Sequence, residues 1–581
     1  MTAAADLPAS TSTSAPVSAP ISAYWPGRVP RQLTMPATSV WDNLAVNARR
    51  YPDHAALVFF DQAISYGQMC EQTERLAAHL YQQGVRKGDR VILLMQNCPQ
   101  LVLAHYAILR ANAVVVPVNP MNTAAELAHY ISDADARVAI TTADLAPALC
   151  QASSSLPPEQ QLAHLVISHL SDTMPADAAA QPDFPPAWQP WLLGNQPLPG
   201  ADLLGATTVS RWLDAVQCRA EPPAVEVAAS DMAILPYTSG TTGLPKGCIH
   251  AHSHVQHAAM AGVLWGRQST ESVNLVVAPM FHITGMVSIM HVLICAGATL
   301  VIMPRWDRQL AAALMARYRV THWANIPTMV VDLLASPHLA QMDTRSLVYM
   351  GGGGAAMPQS VAQRVKEVWG LDYIEGYGMT ETCGASHANP YEHPKQQCLG
   401  LPHIGMQSLV IDPETLQPMA DGEVGEILVR GPQVLQGYWK QPAATAASFV
   451  EVGGQRFFRT GDLGYRDADG YFFLTDRLKR MINASGYKVW PAEVESLMYR
   501  HPAILEACVI AARDEYRGET VKAVVVLRQG QQGLVSAQDI IDWCREHMAV
   551  YKAPRLVQLV DQLPKSGSGK VMWRLLQEKE Q

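Results

Sequence analysis

The chain has 581 residues, 49% of them hydrophobic and 16% charged, with a formal net charge of −8. That length exceeds one ordinary core and implies at least two domains, and the composition is globular, not disordered. The acidic balance argues against nucleic acid or an anionic membrane as the main partner, while leaving room for a local basic groove. The N-terminus up to residue 38 is rich in Ala, Ser, Thr and Pro. It lacks the basic and apolar regions of a secretory signal and is expected to be a disordered leader.

From residue 39 helices and strands alternate. Ser65-Tyr-Gly-Gln68 fits a capping box that opens a helix to about residue 83, with Gly84 as its stop. VILLM (91–95) reads as a strand, LVLAHYAILR (101–110) as a helix and AVVVPV (113–118) as a strand. TAAELAHYISDA (123–134) and RVAITT (137–142) follow as helix and strand. Such alternation predicts a parallel sheet covered by helices. Between about 153 and 223 prolines are dense, which predicts a long surface connection with short local elements. The α/β pattern resumes near 228 and runs to about 475, and residues 476–581 read as a separate small domain. There VIAARD (509–514) and AVVVLR (523–528) are expected strands, and Ser536-Ala-Gln-Asp539 caps a final helix.

Residues 283–303 hold no Asp, Glu, Lys or Arg, a length that could cross a bilayer. Gly285, His291 and Gly297 interrupt the run and Pro304 ends it. A buried helix, a Cys-Ala-Gly turn and a buried strand are expected, with no integral membrane segment. Ten cysteines are scattered without a C-x-x-C pair, which reads as reduced thiols in a cytoplasmic protein and not as a disulfide framework or zinc site.

Several segments carry chemistry. YTSGTTGLPKG (237–247) places the hydroxyls of Thr238, Ser239, Thr241 and Thr242 with Gly240, Gly243 and Lys246 in one loop. Hydroxyls, backbone N–H groups of a glycine turn and a mobile ammonium are what a polyphosphate needs around it. It is not a Walker A loop, because Gly247 and not Ser or Thr follows the lysine. GGGGAAMP (351–358) lies between the strand SLVYM and the helix QSVAQRVKEVW. Gly351, Gly353 and Ala356, with Glu375 downstream, form a degenerate dinucleotide fingerprint, which leaves an NAD(P)- or FAD-dependent enzyme as a competing class. In YGMTET (377–382) Tyr377 can stack on a purine, Thr380 can bond a phosphate oxygen and Glu381 can hold Mg²⁺. RTGDLGY (459–465) sets Asp462 in a Gly-bounded turn, suited to accept two ribose hydroxyls. His250, His252, His254 and His257 are clustered, but no Cys or acid completes a metal site.

In this order, with TDRLKR (475–480), ASGYKVWP (484–491) and PKSGSGK (564–570), these segments resemble the adenylate-forming superfamily, in its acyl-CoA synthetase or fatty-acid–CoA ligase branch. The resemblance implies an α/β fold: a large N-terminal domain (39–475) of α/β subdomains with a β-barrel-like piece at about 400–475, capped by a mobile small α/β domain (476–581). It implies ATP and Mg²⁺, with coenzyme A as co-substrate. ATP would meet the 238–246 loop, Gly353, Gly354 and Ala355, Glu375 to Gly378, Thr380, Asp462 and Arg477. Thr238, Glu381, His282 and Lys570 would be catalytic, Glu381 through Mg²⁺ and Lys570 by bridging the substrate carboxylate and α-phosphate. Asp476 and Lys479 would form the hinge, and Ser485, Gly486 and Tyr487 would meet coenzyme A. His282, Thr284, Gly285, Asn325, Ile326 and Cys383 would line the acyl pocket. These are uncharged or apolar, which favours a medium- or long-chain fatty acid, with an aromatic acid as the alternative. A carrier-protein loader, a luciferase-like oxidase and a non-catalytic binder are further alternatives, and a homodimer is compatible with the family.

Overall fold

The computed structural model describes residues 22–238, 245–477, 480, 482–484, 487–489, 491–514, 518–565 and 571–580. Among the described residues, the largest sheet has nine strands. Its parallel centre runs Tyr373–Met379, Tyr349–Gly353, His322–Asn325, Val273–Val276, Thr299–Ile302 and Ala55–Phe59. Antiparallel strands close both edges: Gln62–Ser65 on one side, Gly384–Ala388 and Leu401–Pro402 on the other. A second, seven-stranded sheet is parallel from Met232–Ile234 through Val114–Pro117, Arg90–Leu94, Val138–Thr142 and His164–Ser168 to Thr208–Arg211. The helix Pro99–Arg110 contacts strands of both sheets and is buried along its whole length. Its sequence is apolar on every side, as a helix without a solvent face must be.

The capping boxes at Ser65–Gln68 and Ser536–Asp539 form as expected, each with reciprocal side-chain and backbone bonds. The run from 283 folds as a π-helix Thr284–His291, a helix Val292–Ala296 and a strand Thr299–Ile302. Gly297 makes the turn at φ +74°. No described helix is long and apolar enough to cross a membrane.

Several expectations are corrected. The 1–38 leader is held against the protein from Ser22: Trp25 packs edge-on to Trp265 at 5.1 Å, and Arg31 O accepts the Gly405 N–H at 2.9 Å. Residues 1–21 lie outside the described residues. The 153–223 connection contributes two strands, His164–Ser168 and Thr208–Arg211, to the second sheet. Their short apolar runs are hidden in the sequence by the prolines around them. The strand at Tyr349 does not stop before the glycines but continues to Gly353. A Cβ on Gly352 would stand 1.9 Å from Asn325 O, so only glycine lets these neighbours pair. The helix capped by Ser536 is not the last, because Trp573–Glu580 follows it.

The expected barrel-like piece is a five-stranded antiparallel sheet that pairs in the linear order Gln407–Ile411, Gly425–Arg430, Gln455–Arg466 and Phe449–Val452, with Phe472–Arg477 beside Gln455–Arg466. Downstream, the hairpin Ile482–Ala484 and Tyr487–Val489 joins Gly518–Leu527, Ile504–Asp514 and Leu556–Leu559 in a separate sheet. With the helices Pro491–Met498 and Ala537–His547 it encloses its own core around Val489, Val494, Ile504 and Ile540. The chain is thus a mixed α/β protein with a large N-terminal and a small C-terminal domain.

Candidate active site

The site forms where the parallel strands of the large sheet end. Ligands of open α/β sheets sit beyond the carboxyl ends of such strands. Tyr349–Gly353 ends in a surface of Gly354, Ala355 and Ala356, all exposed. Beside it, Tyr373–Met379 carries Gly376, Tyr377 and Gly378 and passes into a 3₁₀ turn, Thr380–Thr382. The turn is braced from within: Thr382 Oγ1 donates to Gly384 O at 2.7 Å and accepts the Met379 N–H at 3.0 Å. Tyr377, Thr380 and Glu381 therefore stand half-buried on a fixed edge.

The phosphate-loop motif opens as a two-stranded hairpin, in which Thr238 pairs with Lys246 and Tyr237 with Gly247. Its tip, with Ser239, Gly240, Thr241, Thr242 and Gly243, lies outside the described residues. Tyr237 anchors the incoming arm by donating to Asp133 Oδ2 at 2.6 Å. His250, just after the outgoing arm, donates from Nε2 to Thr380 O at 2.7 Å. This bond ties the hairpin to the turn that carries Glu381. The other histidines of that cluster also have structural partners: His252 Nδ1 accepts the Val40 N–H at 3.1 Å, and His257 Nδ1 meets Gln433 Oε1 at 3.1 Å. Burial pushes His250 down to about 3 and His252 and His254 to about 4. They are neutral packing residues.

Asp462 lies in the long strand Gln455–Arg466, not in a turn, although the neighbouring Gly461 has φ +68°. Buried Glu426 holds that kink, accepting the Gly461 N–H at 3.2 Å and Arg459 Nε at 3.0 Å. The kink carries Asp462 to Tyr377, whose hydroxyl donates to Asp462 Oδ2 at 2.5 Å. Asp462 also pairs through its backbone with Arg477, the last residue of the neighbouring strand.

Glu375 corrects an expectation. Its carboxylate oxygens accept the backbone N–H groups of Met357 at 2.9 Å and Gln397 at 2.6 Å. It braces the end of the glycine segment from behind instead of reaching towards a nucleotide. Burial pushes its carboxyl up, against the pull of these N–H groups.

On the acyl side, His282 and Thr284 are exposed at the start of the π-helix and Ile326 is half-buried. Thr284 N–H meets His282 Nδ1 at 3.4 Å. Gly285 is packed so closely that a Cβ would stand 2.1 Å from Pro279 O. Asn325 is buried, with Tyr373 OH donating to its Oδ1 at 2.9 Å. Cys383, expected in the pocket wall, is fully buried. The next residue, Gly384, has φ +105°, and Ser288 of the π-helix packs where its Cβ would stand.

Two functional candidates carried no signal strong enough for sequence reading. Tyr438 donates to Glu381 Oε1 at 3.0 Å, and Lys246 Nζ lies 5.0 Å from its ring centre. Gln433, fully buried, donates to Thr382 O at 2.9 Å and Ala385 O at 2.7 Å. Only the aromatic pair in Gly437-Tyr438-Trp439 marks this loop in the sequence.

Comparison with known families decides the assignment. The model of the AMP-binding enzyme family matches residues 44–439, and that of the AMP-binding enzyme C-terminal domain matches 493–570. The chain belongs to the AMP-binding enzyme family. This AMP-binding enzyme is 32% identical, over 96% of its length and 97% of the relative's, to a long-chain-fatty-acid–CoA ligase of Bacillus subtilis (strain 168). It is also 32% identical, over 90% and 96%, to a feruloyl-CoA synthase of an Amycolatopsis species. The ATP-bound crystal structure of MatB from Rhodopseudomonas palustris superposes with a TM-score of 0.77 at 26% identity, covering 93% of this chain and 99% of that one.

Of the other expected residues of this AMP-binding enzyme, Lys479, Ser485, Gly486 and Lys570 lie outside the described residues. Arg477 and Tyr487 are described in backbone only. Asp476 is buried, and its Oδ2 accepts the Ala492 N–H at 2.7 Å.

Proposed function

We propose that the protein is an AMP-forming acid–CoA ligase whose substrate is a medium- or long-chain fatty acid. The carrying observation is the 32% identity, over 96% of this chain, to a long-chain-fatty-acid–CoA ligase. Neighbouring contacts support it: Tyr377 bonds Asp462, Tyr438 lies against both Glu381 and Lys246, and Gly354–Ala356 are exposed at the adjacent strand end.

The reaction has two steps. A carboxylate oxygen of the acid attacks the α-phosphorus of ATP. The bond to the bridging oxygen breaks, and pyrophosphate leaves with acyl-AMP held in the site. The thiolate sulfur of coenzyme A then attacks the acyl carbon and AMP leaves, its phosphate taking the electron pair. Little covalent chemistry falls to the protein. Its residues position the reactants and neutralise charge. In this reading Thr238, Thr380 and Lys246 bond phosphate oxygens, Asp462 accepts the ribose hydroxyls and Tyr377 covers the base. Lys570 bridges the carboxylate and the α-phosphate in the first step. The small domain then turns about Asp476–Lys479, brings Ser485, Gly486 and Tyr487 to the pantetheine and removes Lys570.

Magnesium would be held together with the nucleotide and not by the protein alone. Among the described residues there is no group of three or more His, Cys, Asp or Glu that could hold a metal by itself. Mg²⁺ in nucleotide sites is bound by one or two carboxylates together with phosphates, and the half-buried Glu381, beside the phosphate hairpin, fits that part. Bound there, the ion would offset phosphate charge.

The residues assigned to the acyl side, His282, Thr284, Ile326 and the neighbouring Ser288, carry no carboxylate or ammonium, which supports an uncharged acyl tail. The free thiols support a reducing, cytoplasmic setting. The test is acid-dependent pyrophosphate release across a series from butyrate to stearate, with benzoate and ferulate alongside. Highest kcat/KM for a chain of eight carbons or more supports the reading, and highest kcat/KM for ferulate transfers it to aromatic acids.

A further inference from the structure

Tyr438 stands between the two charges of the phosphate half of the site. Its hydroxyl donates to Glu381 Oε1 at 3.0 Å, and its ring centre lies 5.0 Å from Lys246 Nζ. A cation at that distance from an aromatic face is attracted to it. Tyr438 is only 8% exposed, and its backbone is fixed on two sides. Tyr438 N–H donates to Thr445 Oγ1 at 2.9 Å, and Tyr438 bridges to Cys248 in antiparallel fashion. The loop is also bonded to the turn that carries the carboxylate, through Leu435 N–H to Glu381 O at 2.8 Å. One rigid side chain thus sets the carboxylate and the ammonium in a common frame, although they belong to segments more than a hundred residues apart in sequence.

We propose that Tyr438 is a positioning residue for the magnesium nucleotide: it orients the Glu381 carboxylate towards the metal while holding Lys246 beside the phosphates. The inference rests on the adenylation reading above. A ligating carboxylate is itself oriented by an outer hydrogen bond, and loss of such a partner weakens metal affinity or activity about 10–100-fold.

The test is calorimetric titration of the full-length protein with α,β-methylene ATP, once in chelator and once across a Mg²⁺ series. Wild type, Tyr438→Phe, Glu381→Gln and the double variant are compared. Tyr438→Phe keeps the ring under Lys246 and removes only the donor. It is expected to bind as wild type does in chelator, and to need at least ~10-fold more Mg²⁺ for the metal-dependent gain in affinity. The double variant is expected to lose no more than Glu381→Gln alone, because the two groups act through one bond. An unchanged Mg²⁺ dependence in Tyr438→Phe, equal loss with and without Mg²⁺, or additive losses in the double variant would each overturn the proposal. If wild type binds the nucleotide with a Mg²⁺ gain that Glu381→Gln loses and Tyr438→Phe keeps, this inference alone falls. If wild type shows no Mg²⁺-dependent binding at all, the adenylation reading falls with it.

Discussion

Tyr377 and Asp462 are joined by a 2.5 Å hydrogen bond that links the end of the large parallel sheet to the kinked strand of the antiparallel one. The residue proposed to cover the base thus orients the carboxylate proposed to accept the ribose. Hydrogen bonds to a charged group contribute about 1.5–3 kcal/mol. Asp462→Ala is therefore expected to raise the KM for ATP by at least ~10-fold, and Tyr377→Phe by less, since the ring remains. Steady-state kinetics with varied ATP and saturating acid checks both. An unchanged KM in Asp462→Ala would remove the ribose role.

A second prediction concerns pH. In the core of the large domain, Tyr106 OH lies 2.9 Å from His291 Nδ1, and His291 Nε2 lies 2.9 Å from His105 Nε2. One set of protons satisfies the chain: Tyr106 donates to His291, which donates to His105. A proton added at His105 Nε2 would face the His291 N–H, and one added at His291 Nδ1 would face the Tyr106 O–H, inside a dry core. Burial pushes His105 down to about 3 from the ordinary 6.5 and His291 well below it. When the chain unfolds below pH 6.5, these rings take up protons that the folded state excludes. Stability is then complete above about pH 6.5 and falls as the pH drops towards 3, by up to ~1.4 kcal/mol per unit for each histidine. Urea midpoints of the large domain at pH 7.5 and 5.0 measure this, and His105→Gln is expected to flatten the slope by about one proton.

The hinge gives a third. Asp476 reaches across residues 477–490 to accept the Ala492 N–H at 2.7 Å, in the first turn of the helix Pro491–Met498. Just past the proposed pivot, Arg480 is anchored within the small domain by Glu495 and by Val509 O at 3.1 Å. Rotation of the small domain would leave the second set of contacts intact and break the first. An anchoring acid at a helix N-terminus contributes roughly 1 kcal/mol. Asp476→Ala is expected to change the ratio of the adenylation and thioester rates by about 5-fold. Single-turnover assays of each half-reaction measure the ratio, and equal effects on both would show that the contact does not report rotation.

A fourth separates the two chemical steps. Lys570→Ala is expected to lower acyl-AMP formation by at least ~10²-fold, as loss of one preorganised charge partner does. Thioester formation from supplied acyl-AMP is expected to continue near the wild-type rate. Equal loss in both steps would place Lys570 outside the adenylation machinery.

Much of this was legible in the sequence because glycine and charge leave sharp local signals. The 237–247, 351–358 and 377–382 motifs all sit at strand ends, and the Ser65 and Ser536 capping boxes form as their spacing requires. What stayed hidden depends on contacts between distant segments. Glu375 looked like a ligand-facing acid until its oxygens met the N–H groups of Met357 and Gln397. Cys383 sits next to the turn in sequence, but its position at φ +52° turns it into the core. The leader's Trp25 becomes meaningful only through Trp265, far along the chain. Tyr438 has no motif chemistry of its own and acquires a role only beside Glu381 and Lys246.

The most direct test of the ligase assignment is mass spectrometry of the products formed by purified protein with Mg-ATP, a palmitate-to-acetate series, benzoate and ferulate, each with and without coenzyme A. The account predicts AMP, pyrophosphate and a medium- or long-chain acyl-CoA when coenzyme A is present, and enzyme-held acyl-AMP when it is absent. Acyl-AMP that accumulates and never passes to coenzyme A, or no AMP from any acid, would contradict it.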